Sequence, residues 1–497
     1  MLFRIYLLVL SPVLVHAQGI LTNAETYETS VRLTAAGSVP FWMQARQYGV
    51  MPSKGSFLQT SFLIHSDYQK PSKTRPYLQN KRLDWGYALE VTGNVGRNPQ
   101  LFLPQAHLKF KYKNLELYAG KRKELIGIAD STLGMGPYSW SGNAMPVPKI
   151  QLGLTQWTSL FTPHLAIQAS MAHGWLDDRE AYVRRAYLHQ KNLYFRFGKL
   201  QANVLGFVGI NHQVQWAGTS SVVPANTNYF QLDGSLPRGA AAFLSVLTGK
   251  RGFGKNYNPY DHQERVGNHL GSVDLALQIQ SDAHRICIYR QQPYEMPSLI
   301  YLSNLRDGLW GISIHTHATG YLQTGLRNVV FEVLSTQDQG RKGPLWGTKP
   351  IWTEQYFNHL QYKQGWSYQG RTIGVPFINP STNQSYFNNN NLLTVYHLAA
   401  EARVTSQWQV TGRLSYLTSR GNPDHLYTHP RQQLCFLIEA QRMMWFLKGS
   451  ALHASMAGDA GDLYPSSLAF SVSIKKRWGF VDESIPELER YRLRYRR

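Results

Sequence analysis

Apolar and polar residues alternate with a period of two through most of this chain, the pattern of β-strands with two unlike faces. In "HLKFKYK" Leu108, Phe110 and Tyr112 share one face, while Lys109, Lys111 and Lys113 share the other. "NLELYAG" follows at once, so Lys113-Asn114 reads as a tight hairpin turn. "LYFRFGK" puts Leu193, Phe195 and Phe197 on one side, and "VDLALQIQ" does the same with Val273, Leu275, Leu277 and Ile279. Two strands flank Ser406-Gln407: Tyr396, Leu398, Ala400, Ala402 and Val404 face one way, and His397, Glu401 and Arg403 the other. In "SLAFSVSIKKRWGF", Phe470, Val472, Ile474, Trp478 and Phe480 line up, broken by Lys476.

A soluble sandwich and a membrane barrel both give such alternation. The connections separate them, because outer-membrane barrels pair short periplasmic turns with long outer loops. Very short turns are expected at 113–114, 190–192, 281–283, 406–407 and 441–443, against long polar stretches at 124–147, 216–270, 337–391 and 418–432. Soluble domains rarely carry so many long loops. The pattern therefore predicts an all-β, transmembrane antiparallel β-barrel. Eighteen or nineteen strands fit, and the even strand number of bacterial barrels makes about eighteen the expectation. Short and long connections stop alternating between 199 and 271, so one strand there is out of place. "AAAFLSVLTG" (240–249) reads as a short helix in a loop rather than a strand.

The first residues support export. "MLFRIYLLVLSPVLVHAQG" has one early charge, Arg4, an apolar stretch, and a small-x-small site at Val15-His16-Ala17, which reads as a signal peptide over 1–17. The barrel is expected over 18–480, followed by a basic tail over 481–497. Aromatic residues make up 13% of the chain while mean hydropathy is only −0.33, which suits interface girdles more than a thick apolar core. The net charge is +21, from 51 Lys and Arg against 30 Asp and Glu. In an enclosed lumen that excess would favour anionic solutes. An exported protein rarely meets nucleic acid, so none is expected as partner. Cys287 and Cys435 are far apart and in no metal-type spacing. The compartment permits a disulfide, but two buried thiols are the simpler reading.

No Gly-x-Ser-x-Gly elbow, His-Glu-x-x-His, phosphate loop or Cys-x-x-Cys occurs. His212 and His269 each follow an Asn, which reads as a structural hydrogen-bond pair. Sugar binding fits the composition better: rings cover the C–H faces of sugars, amides meet hydroxyls, and Arg grips carboxylates. Three segments combine these types. One holds Arg122, Tyr138, Trp140, Asn143 and Lys149; the second holds Trp175 and Arg179; the third runs from Trp346 to Arg371 and includes Trp352, Trp366 and Arg371. For any one residue, an interface girdle or a solvated lumen is the better explanation. Taken as clusters, they point to polysaccharide contacts.

The stretch "GPYSWSGNAMPVPK" (136–149) carries a resemblance. Gly136-Pro137, then Ser141, Asn143, Ala144, Pro146 and Pro148, resemble the signature of the Wzi capsule-assembly family. "VPFWMQARQYGVMP", "LELYAGKRKELIG", "NHQVQWAG", "GNHLGSVDLAL", "RDGLWGISI" and "GWSYQGRTIGVPFINP" resemble the branch of that family common in Bacteroidetes. The resemblance implies an outer-membrane barrel of about eighteen strands. It further implies a monomeric, lectin-like protein, without enzymatic activity or cofactor, that attaches acidic capsular or extracellular polysaccharide to the surface. An anion-preferring diffusion channel is the alternative, and an outer-membrane hydrolase the third. The chain departs from enterobacterial members in having Met135 and Met145 where they carry Trp and Arg. Their helical bundle also has no counterpart in 20–56, which read as a strand and then a Pro- and aromatic-containing loop.

Overall fold

The computed structural model describes residues 25–68, 81–178, 181–221, 228–254, 257–295, 301–317, 324–341, 354–381, 389–444, 447 and 449–479. The expected signal peptide and basic tail, together with Arg179, Trp346, Trp352 and Phe480, lie outside the described residues.

Among the described residues, eighteen antiparallel strands close into one barrel. They are β1 (Glu25–Ala36), β2 (Phe57–Ser66), β3 (Leu83–Gly96), β4 (Gln100–Tyr112), β5 (Leu115–Lys121), β6 (Lys149–Leu154), β7 (Thr162–Leu176), β8 (Ala186–Phe197) and β9 (Val204–Trp216). The second half holds β10 (Asn268–Gln280), β11 (His284–Tyr294), β12 (Gly308–Thr316), β13 (Gly325–Ser335), β14 (Leu393–Arg403), β15 (Trp408–Gly421), β16 (Leu426–Met443), β17 (Ser450–Gly461) and β18 (Ser467–Gly479). Thr158–Leu160 continues β6 past an irregularity. Each strand pairs with the next, and β18 returns to β1 from Thr26↔Gly479 to Ala36↔Ala469. Closure leaves the barrel wall without an edge, which a lipid environment requires because no water is there to satisfy a free ladder.

The register shows which face meets lipid. Leu108, Phe110, Leu398, Phe470 and Val472 all point outward and are about half exposed. Their neighbours Lys109, Lys111, His397 and Glu401 point into the lumen and are largely shielded. A closed barrel with an apolar outer face and a polar interior is an outer-membrane protein. Both chain ends of the barrel lie at the short-turn end, which is the periplasmic one.

Several expected connections shift. No turn occurs at 190–192: β8 runs unbroken to Phe197 and the turn lies at 198–203, which removes the conflict in strand parity. The stretch 418–432 is not a long loop, because β15 and β16 extend outward and meet through 422–425. The turn expected at 441–443 falls at 444–449 instead. In each case polar residues were read as a break, whereas they belong to a long strand, facing the lumen, lying at the rim or, for Lys191, pointing outward under α2. The hairpin at Lys113-Asn114 stands, with Lys113 at φ 54°, as does the helix, now α2 (Ala240–Thr248). A one-turn helix α1 (Phe41–Gln44) and a short α3 (Pro259–Gln263) lie in outer loops. Cys287 and Cys435 are both free thiols.

The apolar core lies inside the barrel. The loop after β1 (37–56), the segment between β5 and β6 (122–148) and residues 354–381 fold inward as a plug. Inward residues Leu188, Leu270, Leu309, Leu334, Val395, Leu417, Cys435 and Ala457, one from each of eight strands, join Trp42, Tyr138, Trp366 and Phe377 in one buried cluster. That cluster ties the plug to the inner face of those strands.

Candidate functional site

The plug is wired to the wall by hydrogen bonds, and the sequence of its central segment explains why. Pro137, Pro146 and Pro148 lack donors, so 136–148 cannot pair as a central strand. The remaining backbone donors need acceptors elsewhere. Tyr138 N donates to Gln291 Oε1 at 2.8 Å, Ile128 N to Asp274 Oδ2 at 2.8 Å, and Met135 N to the Glu332 carboxylate. Ser139 Oγ donates to Asn211 Oδ1 at 2.6 Å, and Trp42 Nε1 to Ser415 Oγ at 3.1 Å. The lumen wall at this level therefore presents carboxylates and amides, not the cationic lining suggested by net charge. Gly136 sits at φ 92°, where a Cβ would come within 2.8 Å of Ser141 Cβ. Arg46, unremarked in the sequence, binds the carbonyls of Ser131, Gly134 and Ser141 and staples the first plug segment to the second.

Most of the expected sugar contacts belong to this interior. Tyr138 and Trp366 are buried, and Trp366 Nε1 donates to Ser139 O at 2.8 Å. Trp140 packs against Trp366, the rings tilted by 57° with centroids 6.3 Å apart, and lies under the Lys149 ammonium, 4.8 Å from the ring centroid. Asn143 Nδ2 donates to Thr372 O at 3.0 Å and its Oδ1 accepts from Arg46 N. Lys149 is 1% exposed and is held by Glu124 and Gln190. Burial alone would raise the Glu124 carboxyl, but Lys149 and Arg122 outweigh it and hold it below the usual range. Tyr138, Trp140, Lys149 and Trp366 offer a polymer no surface, whereas Asn143, though buried, lines the smaller outer cleft beside Arg371.

Arg122 is half-buried, bonded to Glu116 at 2.6 Å and stacked 3.8 Å over Tyr118. The cavity it shares with Trp140 is about 10 Å³, room for one water and not for a sugar ring. Trp175 points outward from β7 and is 39% exposed, the placement of an interface ring. Arg371 is half-buried beside an opening, with Nη2 bonded to Met51 O at 2.6 Å. Loop-borne Arg371 thus reaches solvent from the outer mouth with Asn143 beside it, where Tyr138, Trp140, Lys149 and Trp366 do not.

The outer mouth holds two clefts. The larger, about 720 Å³, lies between the loop after β9 and plug residues 355–360. Lys250, Arg251 and Arg265 line it with Phe253, Tyr260, Asn268, Asn358 and His359. Its acids are Glu264 and Glu295. Burial, with Glu354 nearby, pushes Glu295 well above the usual carboxylate range. Burial likewise lowers His359 to about 3, with help from His269 and Lys363. Among the described residues the three cations outnumber the two acids of the cleft. The smaller cleft, about 300 Å³, is lined by Arg371, Lys54, Asn379 and a stacked pair, Phe41 and Tyr464, with ring centres 5.6 Å apart. Rings, amides and cations are what recognition of an acidic saccharide needs. Residues 250–265 escaped the sequence reading because they sit in a long polar loop with no period to read; Phe253, Tyr257 and Tyr260 among Lys250, Arg251 and Arg265 were the available signal.

His212 and His269 are a structural pair, but with each other: Nε2 of His212 lies 3.0 Å from Nδ1 of His269. Asn211 points the opposite way, into the lumen, and bonds Ser139 and Ser272.

No protein-family profile and no curated protein sequence matches the chain. Solved structures do. The fold resembles that of Wzi. That protein of Escherichia coli, an outer-membrane protein involved in group 1 capsule assembly and a carbohydrate-binding β-barrel, aligns at 14% identity with a TM-score of 0.55, covering 94% of this chain and 87% of that one. OccAB4 of Acinetobacter baumannii (7% identity, TM-score 0.45, 92% of this chain and 98% of that one) and OprD of Pseudomonas aeruginosa (8%, 0.44, 93% and 98%) are looser likenesses and decide nothing about function. What the comparison with Wzi establishes is the outer-membrane barrel fold.

Proposed function

We propose that this barrel binds an acidic extracellular or capsular polysaccharide at its outer mouth and holds it at the cell surface. The observation that carries this reading is the combination of a plugged lumen with a cationic, ring-lined cleft opening outward. A diffusion channel needs a continuous aqueous path, and the plug stands across it. The Wzi-like fold and the Gly136–Pro148 signature support membership of the Wzi family, and its Bacteroidetes-type branch, as part of the same reading. The protein acts as a monomeric binding protein, not a catalyst. Arg122, Trp175 and Arg371 remain proposed contacts at the periphery, while Arg265, Lys250 and Asn358 take the central role.

Exposed charge contacts are individually weak, roughly 0.2–1 kcal/mol, so retention comes from many sugars binding along one chain. Replacing Arg265 and Lys250 together with Ala should lower affinity for an acidic polysaccharide about threefold to thirtyfold and flatten its salt dependence. The direct test is isothermal titration with purified acidic surface polymer, alongside deletion in the native cell, where polymer should pass into the medium. Cells that keep their polymer after deletion would overturn the proposal. Large, steady, anion-selective currents in planar bilayers would favour the channel.

A further inference from the structure

Helix α2 lies on the outside of the barrel. Its buried face, Ala242 and Val246, packs on Val214 and Trp216, which are outward positions of β9. The Phe243 ring lies 5.6 Å from His189 and 5.8 Å from Trp216. Lys191, another outward position, donates from Nζ to Leu247 O at 2.6 Å. Yet the helix, "AAAFLSVLT", carries no charged residue at all. Its other face, Ala240, Ala241, Leu244 and Thr248, is exposed, Leu244 at 59%. A helix apolar on both faces needs a non-aqueous cover on each. The wall supplies one.

The height of the helix says what supplies the other. Along β8, β9 and β10 the outward row is aliphatic at Leu193, Ile210 and Val273, then changes toward the outer rim to Tyr187, Trp216 and histidines. Rings of that kind mark the bilayer interface. Exposed cations bracket the helix: Arg238 just before the N-cap Gly239, and Lys250 just after the C-cap Gly249. Nine helical residues rising 1.5 Å each set them on the order of 15 Å apart. An apolar strip between two cations, at headgroup depth and continuous with the lipid-facing wall, matches an anionic lipid in both charge and polarity.

We propose that α2 and its flanking cations form a docking surface for phosphate-bearing lipid of the outer leaflet, with Leu244 among the acyl chains and Arg238 and Lys250 on phosphate. The surface meets the sugar cleft at Lys250, which lines both, while Arg238 and Leu244 lie outside the cleft.

The test uses the full-length protein in non-ionic detergent micelles. Retention of diphosphoryl lipid A is compared by native mass spectrometry with the same lipid stripped of phosphate, and with inorganic pyrophosphate. Wild type should retain the phosphorylated lipid at least tenfold better than the stripped one. R238E and L244D, both at exposed positions, should each reduce that retention fivefold or more while keeping the heat-modifiable mobility of a folded barrel. Equal retention of the two lipids, unchanged retention in both variants, or pyrophosphate binding as tightly as the lipid would each overturn the proposal.

Discussion

Trp366→Ala is the sharpest perturbation of the closed lumen. Trp366 is 1% exposed, and its contacts are to the plug: the indole to Ser139 O and Trp140, its backbone to Phe357 and Ile373. Gly365, at φ 74° and with only 2.2 Å between a built Cβ and Phe357 O, sets the turn that delivers the indole there. Removing a buried Trp costs about 3–5 kcal/mol through lost transfer and the cavity left behind. The orphaned Ser139 carbonyl adds about 1 kcal/mol. Strand pairing is untouched, so the loss falls on docking of the plug. At 1.4 kcal/mol per decade, about 4 kcal/mol shifts the docked-to-undocked ratio by roughly three orders of magnitude. In planar bilayers wild type should stay closed, and W366A should show intermittent openings. W366F, which keeps most of the ring but not the donor, should fall between. A W366A barrel that is destabilised to heat but as closed as wild type would refute the reasoning, because the plug would then not depend on this contact.

Lys149→Ala leaves Glu124 buried with only Arg122 and the Tyr118 hydroxyl in support, which should cost about 3–5 kcal/mol and lower the temperature of heat-modified mobility; a shift worth under about 1 kcal/mol would contradict the pairing. Asp261 joins the outer loop to the plug, accepting from Asn258 Nδ2 at 2.6 Å and Gln361 Nε2 at 3.1 Å. Burial raises its carboxyl from 3.8 to about 6 despite those bonds. Because the folded group keeps its proton to higher pH, this contact is strongest below about pH 4 and loses roughly 3 kcal/mol as pH rises through 6. Amides of 258–265 should accordingly exchange faster at pH 7 than at pH 4 once intrinsic rates are removed, and D261N should abolish the difference.

The strand pattern was legible because a barrel wall has one lipid face and one lumen face, and each strand writes that difference into alternate residues. Lys109 and Lys111 against Leu108 and Phe110, or His397 against Tyr396, needed no structure to sort. The reading failed where a strand carried polar residues on the outward face as well. Gln190, Lys191 and Asn192 on β8 looked like a turn, because outward polarity, here at Lys191 beside His189, normally means an end. Here α2 covers Lys191 and His189, and a cover supplied by a loop fifty residues away leaves no local trace.

Trp140 and Asn143 show the other limit. Aromatic and amide residues suit a sugar, but they equally suit a dry plug whose backbone donors must be answered. Composition is the same in both cases; exposure separates them, and exposure depends on what folds over the segment. The sequence by itself determined an exported, closed, two-faced barrel and marked 136–149 as backbone outside the ladder, since prolines and alternation act within a few residues. Only the tertiary structure decided that this segment turns inward, that a plug occupies the lumen, and that Arg265, Lys250 and Asn358 meet at one mouth. Those outcomes rest on contacts between residues a hundred or more positions apart, made by loops whose own sequences have no period to read.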